Sequence, residues 1–400
     1  MDNFSDLHDD TRIAWLVAGD ERLGVAQAVR GLVSAVRPLG VEPTVISLAD
    51  GPFTQSMRGL GFAVEVLNVA PLPTLRGRLP NKMWLALQVW NAARSVRPQL
   101  AGALRASRAK AVHVLWTNLM SPTAMAAHDT GIPCFWEMPN VMGRYPLGIN
   151  RRILQHTLRR WNVMPLANSS YTAATLGNHP VKPIVLYPGA DAQRFDPGRK
   201  DFITRGQLGI PADAIVLGIF GRIRPAKGQA LILEAMAQLP SAYTNAHLLL
   251  LGGPTESEYA DELRLLAKRL GVMERLHLYG NVPDPERYYH LVDMAINARI
   301  DPEPFGLSVV EAMMMGKPVL VHALGGPAET VLDRETGWHV QEPTVEGFKA
   351  GLLRALGERE KWEVMGAAGR KRALEYFSLS RQAKEYVSIV RGRLPCTGAQ

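Results

Sequence analysis

IVLGIFGRIRPAKGQALILEAMAQL, residues 215–239, changes its hydrophobic period partway along. Residues 215–221 form a near-continuous apolar run, the pattern of a strand buried on both faces. From Gly228 the apolar residues follow a helical pattern, and the six residues between form a short turn carrying Arg222 and Lys227. A doubly buried strand leading through a tight turn into a helix is the repeating unit of a parallel sheet covered on both faces.

The same unit recurs in both directions along the chain. Upstream, IAWLVA (13–18), PTVISL (43–48), AVHVLW (111–116), PCFWEM (133–138) and VMPLAN (163–168) read as strands. Downstream come AHLLLLG (246–252), LHLYG (276–280), MAINA (294–298) and PVLVHA (318–323). Helix-length amphipathic stretches such as YADELRLLAKRLG (259–271) separate them. The sequence therefore predicts an α/β protein of two doubly wound domains, with the boundary in LYPGADAQRFDPGRK (186–200). At 400 residues the chain exceeds what one core usually serves.

Composition excludes several classes. Hydrophobic residues make up 47% and charged residues 20%, as in ordinary globular proteins. No apolar run approaches the roughly 20 residues that span a bilayer, and the acidic start MDNFSDLHDD is not a secretory signal. Cys134 and Cys396 lack metal-ligand spacing, which points to a reducing cytoplasmic setting. No solenoid-length repeat or low-complexity segment stands out.

The net charge of +8 is uneven: residues 1–192 hold 19 Lys and Arg against 12 Asp and Glu. Residues 76–110 carry Arg76, Arg78, Lys82, Arg94, Arg97, Arg105, Arg108 and Lys110 with no acid. A second acid-free stretch, 144–161, has Arg144, Arg151, Arg152, Arg159 and Arg160, and both stretches contain tryptophan. INRRILQHTLRRW (149–161) is a basic amphipathic helix, a pattern of anionic membrane surfaces at the inner face of the plasma membrane. The same pattern also fits a helix packing its apolar stripe on a sheet with a solvated basic face. No nucleic-acid motif accompanies the charge, so nucleic acid is not expected as a partner.

In open parallel sheets ligands bind beyond the carboxyl ends of strands, so the segments after strands carry the functional reading. In FGRIRPAKGQ (220–229), Gly221 permits close backbone approach. Arg222 and Lys227 flank a helix N-terminus, where cations are unfavourable unless an anion joins them. LLLLGGPTE (248–256) ends in Gly252-Gly253, where a flat ligand can meet bare backbone, or a plain turn can form. LYGNVP (278–283) offers the same two readings.

EPFGLSVVE (303–311) follows the strand 294–298. Ser308 and Glu311 fit a capping box, and the amides of Gly306, Leu307, Ser308 and Val309 would face an anion at the helix start. Capping leaves Glu303 unexplained. Carboxylates beside a phosphate site make sense if they accept sugar and ribose hydroxyls, so the set describes a nucleoside diphosphate sugar site.

These segments, in this order, resemble the donor domain of GT-B glycosyltransferases, in particular the large retaining group with the E-x7-E motif (glycosyltransferase family 4, group 1 type). The matching residues are Gly221, Arg222, Pro225, Lys227 and Gly228, then L-L-G-G-P at 250–254. E-P-F-G-L-x-x-x-E-A-M follows at 303–313, then G-K-P-V at 316–319, G-G-P-x-E from Gly325 to Glu329, and Thr336-Gly337. The likeness covers residues 180–380. It implies a GT-B fold of two Rossmann-like domains facing a cleft: 1–190 for acceptor, 191–375 for nucleotide-sugar donor, and 376–400 a helix crossing back to the first.

It also implies roles. Arg222 and Lys227 would hold the diphosphate and steady the leaving group, and Glu303 would bind the donor sugar; these three are the catalytic candidates. Glu311 would bind ribose, while Gly221, Gly252, Gly253, Phe305, Gly306, Leu307 and Ser308 would line the donor site. The implied reaction is retaining sugar transfer in cell-envelope, lipid-linked or exopolysaccharide glycan assembly, with a sugar or lipid-linked acceptor. No D-x-D sequence occurs, so neither a metal nor another cofactor is expected. Fixed cations and helix amides would stabilise the departing diphosphate.

The likeness thins in the first half. LVAGDERLGVAQAVRGL (16–32) has Gly19 and Gly24 but no adjacent glycine pair. Arg22 would reach the diphosphate or sit as a surface charge. In GIPCFWEMPN (131–140) the place where the family often has histidine holds Trp136, Glu137 and Met138, and Glu137 would line the acceptor site or cap a helix. His113 and His128 read as structural. Two alternatives stay open: a nucleotide-sugar epimerase on this scaffold, and a subunit that binds nucleotide sugar without turnover.

Overall fold

A computed structural model of the chain describes residues 11–21, 23–70, 72, 82–142 and 149–394. Arg22, Arg76, Arg78, Arg144 and Cys396, named above, lie outside the described residues, as do the side chains of Lys82 and Trp84. The chain divides into two compact units, residues 1–187 with 379–400, and residues 188–378.

Unit 1 holds β1 (Thr11–Val17), β2 (Val41–Ser47), β3 (Ala63–Val66), β4 (Ala111–Val114), β5 (Cys134–Met138), β6 (Met164–Ala167) and β7 (Ile184–Val185). They form one parallel sheet in the order β3-β2-β1-β4-β5-β6-β7. Successive residues of β1 feed opposite faces. Ala14 and Leu16 join a core with Leu100, Leu104 and Trp136, while Ile13, Trp15 and Val17 join one with Val33, Tyr386 and Val390. Two-sided burial explains why IAWLVA reads as a continuous apolar run.

Unit 2 holds β8 (Ile215–Phe220), β9 (Ala246–Leu251), β10 (Leu276–Tyr279), β11 (Met294–Asn297), β12 (Val319–His322) and β13 (Gly337–Val340). This sheet is also parallel, in the order β10-β9-β8-β11-β12-β13. Every residue of β8 and β9 is buried. In both units the chain winds outward from a central strand, returns, and winds the other way. β8 and β11 are therefore neighbours from which the chain winds in opposite directions across the sheet, the switch point at which such sheets take ligands.

The α/β expectation of two doubly wound sheets holds. Three strands, β3, β7 and β13, were not expected, and each lies at an edge of its sheet. The basic helix forms as Ile149–Arg160, with Leu154 and Leu158 buried in the unit 1 core and Arg151, Arg152, Arg159 and Arg160 exposed. Its apolar stripe packs on its own sheet. Arg97, from the other basic stretch, is paired with Asp129 at 2.6 and 2.5 Å and lies 5.9 Å from the Trp161 ring. Among the described residues, no helix is long and apolar enough to cross a membrane.

Candidate functional site

The loops after β8, β9 and β11 meet backbone to backbone. The Ile223 amide donates to the Gly253 carbonyl at 3.0 Å, and the Ile300 amide to the Ala226 carbonyl at 3.1 Å. Gly228 caps the helix Gln229–Ala237 at φ +69°, and a Cβ there would lie 2.0 Å from the Ala298 carbonyl oxygen. Only glycine meets both demands. A Cβ at Gly252 would lie 2.1 Å from the Gly221 carbonyl oxygen, and one at Gly253 would strike the Asn281 side chain. These glycines let the loops close on one another.

Lys227 and Glu303 are brought into contact. Lys227 Nζ donates to Glu303 Oε2 at 2.6 Å, and Arg299 Nη1 donates to Oε1 at 2.9 Å. Arg299 is itself gripped by Asp301, Nε to Oδ1 at 2.5 Å and Nη2 to Oδ2 at 3.1 Å. Only 17% of the Lys227 side chain, 14% of Arg299 and 11% of Glu303 is exposed. Burial pushes the Glu303 carboxyl up, but the charges of Lys227 and Arg299 outweigh it and hold the group below its usual 4.5. Beside them Arg224 has a buried Nε without a hydrogen-bond partner, and burial, Arg222 and Arg299 all depress its guanidinium. Arg222 itself is exposed.

A carboxylate whose folded pKa is depressed contributes stability that is complete above its unfolded value and is lost as pH falls through the folded one. The stability difference between wild type and Glu303→Gln is therefore expected to hold steady down to 4.5 and shrink below it. Urea denaturation across that range reads the difference directly, and a gap that widens on acidification contradicts the pairing.

The second carboxylate departs from expectation. The helix runs Leu307–Met314, with Gly306 as N-cap at φ +89° and no side-chain cap. Ser308 thus lies inside the first turn, and the Ser308–Glu311 capping box does not form. Glu311 Oε2 instead accepts from the Tyr289 hydroxyl at 2.7 Å. Burial raises the Glu311 carboxyl above 4.5, with Tyr289 and Arg194 opposing and Glu286 adding to the rise. The two acids of one motif are pushed in opposite directions, the usual mark of groups given different tasks.

Tyr289 is fully buried, its ring stacked on Phe220 with centroids 3.7 Å apart. Next to it, Glu286, 4% exposed, takes a two-pronged contact from Arg194 at 2.7 and 3.2 Å. Tyr289, Arg194, Glu286 and Arg299 were not singled out in the sequence. R-x-D-x-E at 299–303 is a visible charge alternation, whereas Arg194 and Glu286 are 92 residues apart and no local signal joins them.

Other candidates sort by element. Phe305 is buried with its ring edge-on to Phe377, so only its backbone is left to meet a ligand, while Leu307 and Ser308 are partly exposed. In unit 1, a Cβ at Gly19 would lie 2.2 Å from the Ala49 carbonyl oxygen, while Gly24 sits in the first turn of the helix Leu23–Val36 with open space beside it. Glu137, on β5, meets the buried His113 Nε2 at 3.2 Å rather than capping a helix. Glu21, unremarked in the sequence, fills the loop after β1. Its carboxylate accepts from the amides of Ala18 at 2.7 Å and Gly19 at 2.9 Å, and from Trp116 Nε1 at 2.8 Å.

The family described as Glycosyl transferases group 1 matches residues 201–372, and the Glycosyl transferase 4-like domain matches residues 24–176. Over 168 residues the chain is 36% identical to the lipopolysaccharide 1,2-N-acetylglucosaminetransferase of Salmonella typhimurium, covering 40% of this chain and 44% of that one. Over 211 residues it is 31% identical to a D-inositol 3-phosphate glycosyltransferase of Segniliparus rotundus, covering 51% and 46%. The matched region thus spans less than half the length of either relative. In backbone the chain is similar to Anabaena Alr3699/HepE, solved in complex with UDP and glucose. That likeness has a TM-score of 0.78 at 22% identity, covering 96% of this chain and 100% of that one.

Proposed function

We propose that this chain, which belongs to the group 1 GT-B glycosyltransferases, moves a sugar from a nucleoside diphosphate donor to a hydroxyl of an acceptor. The observation that carries this reading is the contact of Lys227 with Glu303 at the β8–β11 switch point. A cation suited to phosphate and a carboxylate suited to sugar hydroxyls lie side by side where such sheets take ligands. Around them Arg222, Arg224, Lys227 and Arg299 face Asp301 and Glu303, an excess of two positive charges that a diphosphate would balance.

In this reading Arg222, Lys227 and the first-turn amides of the helix Leu307–Met314 stabilise charge on the departing diphosphate without a metal. Glu303 holds the donor sugar and Glu311 the ribose. The acceptor attacks from the leaving-group face, its proton passing to the departing phosphate, so the anomeric configuration is retained. The E-x7-E spacing of Glu303 and Glu311 supports that stereochemistry. The Salmonella relative, named for lipopolysaccharide, supports an envelope-glycan or lipid-linked acceptor, whereas the name of the Segniliparus relative points to a small phosphorylated acceptor. The exposed arginines of 149–160 support contact with an anionic membrane face.

Thermal denaturation with UDP-, GDP-, ADP- and dTDP-sugars tests the donor. One nucleotide is expected to raise the melting temperature with the logarithm of its concentration, stabilising the fold by about 2.7 kcal/mol at a hundredfold excess over Kd. No shift with any of the four would overturn the reading.

A further inference from the structure

Both carboxylate oxygens of Glu303 are taken up before any ligand arrives, and the two cations holding them differ in freedom. Lys227 makes one point contact from the end of a flexible stem. Arg299 is fixed on every side: Asp301 grips its guanidinium, its carbonyl meets His322 Nδ1 at 2.7 Å, and its amide donates to Asn297 Oδ1 at 3.3 Å. A diphosphate at the loop after β8 competes with Glu303 for Lys227, whereas Arg299 is already held by two carboxylates, Asp301 and Glu303.

We propose that Arg299 is the positioning residue of this site, staying on Glu303 Oε1 when Lys227 turns to the diphosphate of an incoming nucleotide sugar. Oε2 is thereby released to the donor sugar while the carboxylate keeps a counter-charge. The proposal rests on the donor reading above. The charged groups around Glu303 are Arg222, Arg224 and Lys227 from the loop after β8, and Arg299 and Asp301 from its own loop. The loop after β12 meets it through backbone hydrogen bonds at Leu324 and Gly326. With Arg299 removed, departure of Lys227 leaves a carboxylate that is only 11% exposed with the uncharged Asn297 side chain as its hydrogen-bond partner and no paired cation, and the cheapest relief is uptake of one proton from solvent.

The experiment is calorimetric titration of wild type, Arg299→Met and Arg299→Lys with the same four nucleotide sugars. It is run in buffers of different ionisation enthalpy between about pH 6 and pH 8, so that protons taken up on binding are counted. Wild type and Arg299→Lys are expected to bind one donor without proton uptake. Arg299→Met is expected to take up close to one proton, its affinity falling up to about tenfold per pH unit as pH rises. A uniform loss of affinity in Arg299→Met at every pH, or unchanged affinity, overturns the positioning role and leaves the donor reading standing. Proton uptake by Arg299→Lys equal to that of Arg299→Met overturns it as well. Failure of wild type to bind any of the four removes the donor reading, and this proposal with it.

Discussion

Lys227→Ala is expected to weaken binding of the nucleotide sugar by roughly 10- to 100-fold, the worth of one charge-assisted hydrogen bond of about 1.5–3 kcal/mol. The side chain is only 17% exposed and sits at the start of the helix Gln229–Ala237, so water does not replace what it supplies. The fold is expected to survive, because the loop is held by backbone contacts of Ile223, Ile300 and Gly228, none of which uses the ammonium group. Glu303 keeps Arg299 as a partner. Titration of the variant with the donor that stabilises wild type checks this, and affinity equal to wild type would sink the proposed phosphate cradle.

Arg194→Met has the largest expected effect on stability. Glu286 is 4% exposed, and its two oxygens rely on the Arg194 guanidinium. Removing one partner of a buried pair costs about 3–5 kcal/mol, and because the Arg194 side chain is 33% exposed we place the loss near the lower end, about 3 kcal/mol. At roughly 2–4 °C per kcal/mol for a unit of this size, melting is expected to fall by about 10 °C. Arg194→Met combined with Glu286→Gln is expected to regain part of that loss, since no charge is then left buried alone. A double variant less stable than Arg194→Met would show that the pair is not the source. Arg194 also favours the charged form of Glu311, so the single variant carries its cost into the donor site.

The central strands were legible because they are buried on both faces; β8 and β9 spell IVLGIF and AHLLLL without interruption. The edges were not. β3 reads AVEV with no residue fully buried, and β7 is two residues long, so neither carries a continuous apolar run. β13, GWHV, is largely buried but is opened by a glycine and only four residues long. The site divides the same way. Lys227, Glu303 and the glycines that bring their loops together stand in ordered motifs. The capping box was a reading of local spacing, and it gave way because the helix begins at Leu307 and Tyr289, distant in sequence, claims Glu311. The residues that act on Glu311 from elsewhere in the chain, Arg194 and Tyr289, leave no trace in spacing along it.

The helix Leu379–Arg391 belongs to unit 1, where Ala383, Tyr386, Val387 and Val390 are each 5% exposed or less against the helix Leu23–Val36 and the sheet. One wall of the first unit's core is thus encoded after the whole of the second. During synthesis, which proceeds from the N-terminus, the first seven strands emerge with an apolar face uncovered until residues 188–378 have been made. The unit that is translated first therefore completes its core only after the second has been made.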